Sequence, residues 1–270
     1  MSSTDGGSEA SASHALYAYC LLAAPAAPSA QAAPAGLPGA ATPRLLAAGA
    51  GRWLVVAEAP LERYNSEAIA SGLGDLAWVS ACAVAHEAVI EHFMSRTDPA
   101  AALLPMKLFT LFASERSALE HLAKEDARTG RLLRRLAGSV ELGVRVLFDP
   151  AKVPAAPAPS GEREPPSGRA FLERKQRQRD SSKRALEAAR LGAAVLFDDL
   201  AGVAKGARRL ETPAGPPLGS LLLDAAFLCA RKSQPRFEAV LDAGAARLRG
   251  VGCEVVLTGP WPGYHFLEEA

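Results

Sequence analysis

Residues 258–266, TGPWPGYHF, follow an apolar run at residues 253–257 that has the composition of a strand. Two prolines and two glycines within five residues exclude a helix and remove donors from a strand ladder, so the sequence predicts a turn here. The stretch also holds three large aromatic residues, Trp261, Tyr264 and Phe266, in a chain that is only 6% aromatic. We expect these rings to clamp the C-terminal end onto the last strand, with a partner-binding surface as the alternative.

Working back from this stretch, the second half of the chain predicts six elements in the order strand, helix, strand, strand, helix, strand. They occupy residues 140–148, 169–200, 204–210, 220–230, 233–250 and 251–257. This is the βαββαβ order of a ferredoxin-like domain, in which two helices cover one face of an antiparallel sheet. The domain is predicted to span residues 139–270. Its Pro/Ala/Gly/Ser/Glu-rich insert, residues 149–167, is expected to be disordered because it offers almost nothing to bury.

The first half predicts a separate N-terminal α+β domain, residues 14–138, whose topology the pattern leaves open. Strands are predicted at residues 15–22, 52–58 and 103–112. Helices are predicted at residues 61–73, at residues 76–94 after an Asp75 cap, and from Ser114 to Gly138. Residues 1–13 are small, polar and acidic, which indicates a disordered tail without a secretory signal. The fold class is therefore α+β with two domains.

Composition restricts the class of partner. The chain has 270 residues, 30 basic and 29 acidic side chains and a formal charge of +1. This balance argues against a general nucleic-acid or membrane-surface binder. Four cysteines, Cys20, Cys82, Cys229 and Cys253, lie in apolar segments and predict free thiols in a reducing compartment. Since no apolar run approaches the ~20 residues of a membrane span, we expect a cytoplasmic protein.

The search for catalytic, metal or cofactor residues predicts none. His86-Glu87 begins a zinc-protease pattern, but Ile90 stands where the second histidine would be. Cys82 and His86 share a helical face without a third ligand, and neither a phosphate-binding loop nor a nucleophile elbow occurs. Asp224 lies within an apolar strand, where a carboxylate needs a partner; a structural hydrogen bond is favoured over catalysis.

The long helix of the second half begins with a basic run at residues 174–184. Arg174, Lys175 and Arg177 are candidates for an electrostatic contact. A solvated helix face or a contact with a protein is favoured over nucleic-acid binding, because the run has no interleaved aromatic residues.

Several motifs, in order along the chain, resemble the gas vesicle accessory protein F/L family. Residues 104–112, LPMKLFTLF, resemble its LPMRFGTxF segment, with Phe109 in place of the glycine. Residues 138–146, GSVELGVRV, are similar to GKxEWGVKV, and residues 223–228, LDAAFL, are similar to MNAAYL. Residues 259–266, GPWPGYHF, resemble the closing GPWPPYxF, with Gly263 for the second proline of the pair.

The resemblance implies a non-enzymatic accessory or minor structural protein in gas vesicle formation, located in the cytoplasm and at the gas vesicle. It implies association with the small hydrophobic shell protein and with other accessory proteins, and two α+β domains of which the second is ferredoxin-like. The alternative is a regulatory or protein-binding module on a ferredoxin-like scaffold. The closing motif supplies the candidate structural or partner residues Gly259, Pro260, Trp261, Pro262, Tyr264 and Phe266.

Overall fold

The computed structural model of the chain describes residues 13–49, 51–153, 168–211 and 220–268. It divides into two compact units, Met1–Gly138 and Ser139–Ala270. Each unit combines one antiparallel sheet with helices, so the predicted α+β class is confirmed. The tail predicted at residues 1–13 lies outside the described residues except for Ser13. Residues 212–219 also lie outside them.

The sheet of the first unit is built around one buried strand. Its strands are β1 (His14–Ala23), β2 (Arg44–Ala47), β3 (Arg52–Pro60), β4 (Ala102–Pro105) and β5 (Leu111–Phe112). The order is β2-β3-β1-β4, and β5 also pairs with β1. Strand β2 has no counterpart in the sequence prediction, because its four residues are too few for a period to show. The strand predicted at residues 103–112 is divided into β4 and β5 by a turn.

The helices of the first unit are α1 (Leu61–Tyr64), α2 (Ser66–Gly72), α3 (Leu76–Arg96), α4 (Glu115–Lys124) and α5 (Asp126–Leu136). Asp75 caps α3 as predicted, since its carboxylate accepts hydrogen bonds from the Ala77 and Trp78 amides. Two helices predicted as continuous are broken. Asn65 ends α1 and caps α2, and Glu125 separates α4 from α5.

A bulge in β1 lets both faces of this strand be buried. The pairing register of β1 with β3 shifts between Ala18 and Cys20. Tyr17 precedes the bulge and contacts His86 of α3, whereas Leu21 follows it and lines a cavity together with Leu122 of α4. The extra residue therefore changes which side chains face which layer of helices.

The second unit has the element order that the sequence predicts. Its elements are β6 (Ser139–Phe148), α6 (Gly168–Ala201), β7 (Gly206–Arg209), β8 (Ser220–Ala230), α7 (Gln234–Arg249) and β9 (Cys253–Trp261). The sheet order is β7-β8-β6-β9, and every pairing is antiparallel. Central strands β6 and β8 therefore carry the core, while β7 and β9 form the edges.

Alternate residues of the two central strands pack against α6 and α7. They include Leu142, Val144, Val146 and Phe148 of β6 and Leu223, Ala225, Phe227 and Cys229 of β8. Helix α6 contributes Ala185, Ala189, Ala193, Leu196 and Leu200 at intervals of three and four residues. A Cβ at Gly244 of α7 would lie 2.5 Å from Leu196 Cδ1, so the glycine permits the close approach of the two helices.

The predicted insert begins later than the sequence indicated. Asp149 caps a short 3-10 helix, Pro150–Lys152, by accepting from the Ala151 amide, and Lys152 Nζ lies 2.7 Å from Glu254 Oε2. Val153 packs against the core. Residues 149–153 are therefore ordered, because a cap, an ion pair and an apolar contact hold them. The rest of the insert, residues 154–167, lies outside the described residues, and its disorder stays a prediction.

Candidate functional site

The first part of the C-terminal motif, up to Trp261, continues the edge strand β9. Glu141 pairs with Trp261 and Gly143 with Thr258, so β9 holds one extra residue at Gly259 and Pro260. The turn predicted within residues 258–266 therefore comes after Trp261, because a bulge on an edge strand accommodates a proline that lacks an N–H and lets β9 run on to that residue. Gly259 has φ +107°, and a Cβ there would lie 2.8 Å from the Glu141 carbonyl oxygen.

Glu141 fixes the segment that follows the strand. One carboxylate oxygen accepts a hydrogen bond from the His265 backbone N–H at 2.9 Å, and the other lies 2.6 Å from His265 Nδ1. The Glu141 side chain is only 5% exposed, whereas that of His265 is 45% exposed. A buried carboxylate requires such partners, so this pair holds the short 3-10 helix Tyr264–Phe266 against β6.

The same segment then crosses the sheet. Arg208 of β7 donates to the Glu268 carbonyl at 3.3 Å and lies 3.8 Å from the Glu268 carboxylate. Because β8 lies between β6 and β7, residues 265–268 pass over β8 on the face opposite to the packed helices. Ala226 and Leu228, which point to that face, are only 1% exposed. We call residues 262–268 the C-terminal strap.

Within the closing motif, the buried anchor is Phe266 and not Trp261. Phe266 is fully buried, and Pro262 is buried as well. Trp261 keeps 37% of its surface exposed at the edge of the sheet, and Gly259 and Pro260 are exposed beside it. The three rings expected to clamp the C-terminal end are therefore buried to different extents, and the clamp itself stays a prediction. Tyr264 is half-buried.

The candidate basic residues lie in the first half of α6. Lys175 and Arg177 are exposed, while the side chain of Arg174 lies outside the described residues. The buried stripe of α6 begins at Ala185, so the structure places these cations well before the part of the helix that packs on the sheet. It does not bring them together with the closing motif through any described contact.

A second exposed surface, which was not predicted from the sequence, lies on α3 and on Leu73, the residue that follows α2. Leu73, Leu76 and Val84 are 60%, 79% and 70% exposed. Residues 76–86 contain no Asp, Glu, Lys or Arg, and Ala77 and Ala81 on the same side are exposed too. We call this surface the uncharged face. The sequence pattern that could have indicated it is the absence of charged residues from both sides of the helix at residues 76–86. An ordinary surface helix has apolar residues on one side only.

His86 is held as a neutral structural residue. Nδ1 lies 2.7 Å from the Tyr17 hydroxyl, and Nε2 lies 3.2 Å from the Met106 carbonyl oxygen. Burial lowers the pKa of His86 to about 4, so Nε2–H donates to Met106 and Nδ1 accepts from Tyr17. Both ring nitrogens are therefore engaged within the protein. In the described ranges, no group of three His, Cys, Asp or Glu side chains is placed to hold a metal ion.

Asp224 has the structural partner that the sequence predicted. Its carboxylate lies 3.1 Å from Arg145 Nε, and the two residues are directly opposite each other on β8 and β6. Opposite charges facing each other across antiparallel strands stabilise the pairing, which explains a carboxylate within an apolar strand. The four cysteines are also buried and free, as predicted, and burial raises the pKa of the Cys82 and Cys229 thiols.

Two cavities of the first unit do not resemble a ligand site. These cavities, of about 420 and 260 Å3, meet at Arg52, which forms an ion pair with Asp126. Their other walls are mostly alanine and leucine side chains. One ion pair, with Arg134 as the other charged residue that lines them, gives little basis for recognising a small molecule.

Among the described residues, no single helix is both long and apolar enough to cross a membrane. Helices α2 and α3 reach the required length and hydropathy only as a pair, and they are bent by 114° where they meet.

Comparison with known proteins decides the family. The family model of the gas vesicle synthesis protein GvpL/GvpF matches residues 15–268. The chain belongs to the GvpL/GvpF family. It is 30% identical over 217 residues to gas vesicle protein L of Streptomyces sp. (strain CB03234), and the match covers 78% of each chain. The family implies a role in gas vesicle formation.

Two solved GvpF structures share the fold. The crystal structure of GvpF from Anabaena sp. PCC7120 superposes with a TM-score of 0.67 at 18% identity, covering 96% of this chain and 98% of that one. GvpF from Microcystis aeruginosa gives a TM-score of 0.61 at 16% identity, covering 94% and 99%. At these identities the likeness is one of fold.

Phe109, which stands where the resembled family motif has a glycine, occupies a left-handed backbone position. Phe109 has φ +64°, which is uncommon for an aromatic residue. Its ring stacks on Trp78 with centroids 5.2 Å apart, and its N–H donates to the Tyr17 hydroxyl at 3.3 Å. These two contacts hold the turn between β4 and β5 in a GvpL/GvpF chain that lacks the glycine.

Proposed function

We propose that this chain is a non-enzymatic accessory or minor structural protein that associates with the hydrophobic gas vesicle shell protein during assembly. The observation that carries the proposal is the uncharged face of α3 and Leu73, with Leu76 79% and Val84 70% exposed. Exposed apolar patches on soluble proteins are typical of sites that another protein or an apolar surface covers. A small hydrophobic shell protein has the matching chemistry.

The basic part of α6 is proposed to add an electrostatic contribution to this association. Lys175 and Arg177 are exposed, and Arg174 is adjacent in sequence. Long-range attraction between exposed charges raises the rate of encounter more than the final affinity, and salt screens it. The apolar face is therefore expected to supply the stability of the complex and the cations its salt dependence.

Substitution of the uncharged face tests the proposal. Leu76→Asp with Val84→Asp places two charges where the apolar contact is proposed, and it should abolish capture of the shell protein in a pull-down. The matched control is Leu191→Asp with Val195→Asp on α6, since these residues are 69% and 43% exposed in the other unit. Both pairs should melt like the parent, because exposed substitutions change stability little. Undiminished capture by the α3 pair would contradict the proposal.

A regulatory or protein-binding module on a ferredoxin-like scaffold is the second candidate. The sheet order β7-β8-β6-β9 corresponds to second, third, first and fourth strand of the unit, which supports a ferredoxin-like assignment for it. This fold hosts many functions, so the scaffold alone does not select one. Capture of other gas vesicle accessory proteins without the shell protein, in the same pull-down, would favour this candidate.

We further propose that the protein acts in the cytoplasm and at the gas vesicle, with the shell protein and other accessory proteins as partners. The neutral charge balance of the chain supports protein partners over nucleic acid or anionic membrane. The engagement of both His86 nitrogens supports a role without metal or catalysis. Fractionation of cells that form gas vesicles, followed by detection of this chain in the vesicle fraction, tests the location.

A further inference from the structure

In the first half of α6, the side chains that the structure describes pack very little within their own unit. From residue 172 to residue 184, every described side chain is exposed except that of Ser182, which is half-buried. The buried stripe at Ala185, Ala189 and Ala193 does not continue into this segment, because Lys175, Gln178 and Ser182 occupy the corresponding positions. We call residues 172–184 the arm.

The arm concentrates positive charge in a chain that is otherwise nearly neutral. Its thirteen residues include six basic and two acidic side chains, whereas the whole chain has a formal charge of +1. Lys175, Arg179 and Lys183 are four residues apart and lie on one side of the helix, about 12 Å from first to last. None of the three has an acidic partner in the part of the chain that the structure describes.

A row of like charges at this spacing destabilises a helix slightly, because neighbouring cations repel each other. Glutamates or aspartates at the same spacing on a second helix would remove that repulsion and could meet each cation in turn. We infer that the Lys175–Arg179–Lys183 row binds an acidic helical segment of another protein in the assembly. The inference rests on the electrostatic contact of the proposed function, and it specifies the chemistry of the surface that meets the arm.

The residues of the arm favour a protein over the other anionic partners. Single-stranded nucleic acid is bound through aromatic side chains that stack on bases, and residues 172–184 contain none. A helix that lies on an anionic membrane needs an apolar face opposite the charges, and the arm has only Leu172. An acidic helix needs neither feature and matches the regular spacing of the cations.

The test uses the full chain and a synthetic helical peptide with three glutamates spaced four residues apart; its control peptide carries glutamines instead. The glutamate peptide should bind in a fluorescence anisotropy titration, and the glutamine peptide should bind at least about tenfold more weakly. Raising the salt concentration from about 0.05 to 0.5 M should weaken the first complex strongly. Equal binding of the two peptides would overturn the inference.

Charge reversal identifies the row. Lys175→Glu with Arg179→Glu should weaken binding of the glutamate peptide at least about tenfold. Lys232→Glu with Arg236→Glu changes the net charge equally at exposed positions near the start of α7, and it should leave binding unchanged. If both variants lost peptide binding equally, net charge alone would explain the binding, and the inference would be overturned. Circular dichroism and thermal melts establish that both variants remain folded.

Two further outcomes separate the alternatives. Displacement of the peptide by a single-stranded DNA oligonucleotide or by anionic phospholipid vesicles, at lower concentration than by free peptide, would overturn the choice of a protein partner. Shell-protein capture is measured in parallel with the same variants. Binding of the peptide without capture of the shell protein would support the acidic-helix contact and contradict the proposed function. Capture of the shell protein without binding of the peptide would support the proposed function and contradict the acidic-helix contact.

Discussion

Glu141 and His265 are 124 residues apart in sequence, and Glu141 accepts hydrogen bonds from both the backbone N–H and the Nδ1 position of His265. Through this pair, a buried carboxylate of a central strand holds the C-terminal strap on the face of the sheet that lacks helices. The exposed Lys152–Glu254 ion pair in the same unit provides a comparison, since each of its side chains is 55% exposed.

Replacing Glu141 by alanine should destabilise the second unit by roughly 2–3 kcal/mol, because hydrogen bonds to a charged group are lost and donors are left unsatisfied. Glu254→Ala should change the free energy of unfolding by less than about 1 kcal/mol, as for other exposed ion pairs. Thermal melts compare the variants, and hydrogen exchange reports on the His265 amide. Unchanged protection of that amide in Glu141→Ala would show that the strap is held by other contacts.

Phe266 and Trp261 should respond differently to truncation. Phe266→Ala removes a fully buried ring and should reduce stability by roughly 3–5 kcal/mol. Trp261→Ala should have a much smaller effect, since 37% of that side chain is already exposed, and it should weaken partner capture if the edge of β9 is a binding surface. Trp261→Phe serves as the conservative control. A Trp261→Ala variant that melts like Phe266→Ala would restore the clamp role to the tryptophan.

The buried His86 predicts a pH dependence of stability. Its pKa is about 4 in the folded chain and about 6.5 when unfolded. Between pH 4 and 6.5 the imidazole of His86 is protonated in the unfolded chain but stays neutral in the folded chain. The contribution of His86 to the free energy of unfolding is therefore present above pH 6.5 and is lost as the pH falls toward 4. The total loss is on the order of 3 kcal/mol.

The measurement compares unfolding of the parent and of His86→Gln in denaturant across this pH range, because the difference removes the titration of other groups. The parent should lose stability relative to the variant as the pH is lowered from 6.5 to 4. Parallel pH profiles would mean that His86 titrates normally in the folded chain.

Phe109 offers a test of backbone strain. Alanine at this position loses the stacking on Trp78 and keeps a left-handed backbone, whereas glycine loses the same ring and removes the strain. Phe109→Ala should therefore be less stable than Phe109→Gly by roughly 1 kcal/mol. Melting temperatures of the two variants decide the point. Equal stabilities would indicate that the turn relaxes away from its positive φ when the ring is removed.

Much of the second unit follows from local sequence. Strand β8 is a strongly apolar run interrupted by one charge, Asp224, and Pro235 together with Gly250 marks the ends of α7. Asp75 likewise predicts the start of α3. These signals are reliable because a strand period, a cap and a helix terminator depend on neighbours within a few residues. The breaks at Asn65 and Glu125 were missed because capping residues also occur within continuous helices.

The sequence by itself determined the element order of the second unit, the cap of α3, the structural role of Asp224 and the family motifs. Each depends on residue type and short spacing. Only the tertiary structure decided that Phe266 is buried while Trp261 stays at the edge, and that Glu141 holds His265. It also showed that Tyr17 and Met106 engage both nitrogens of His86. These outcomes depend on pairing register and on contacts between distant residues, which hydrophobic periodicity does not encode.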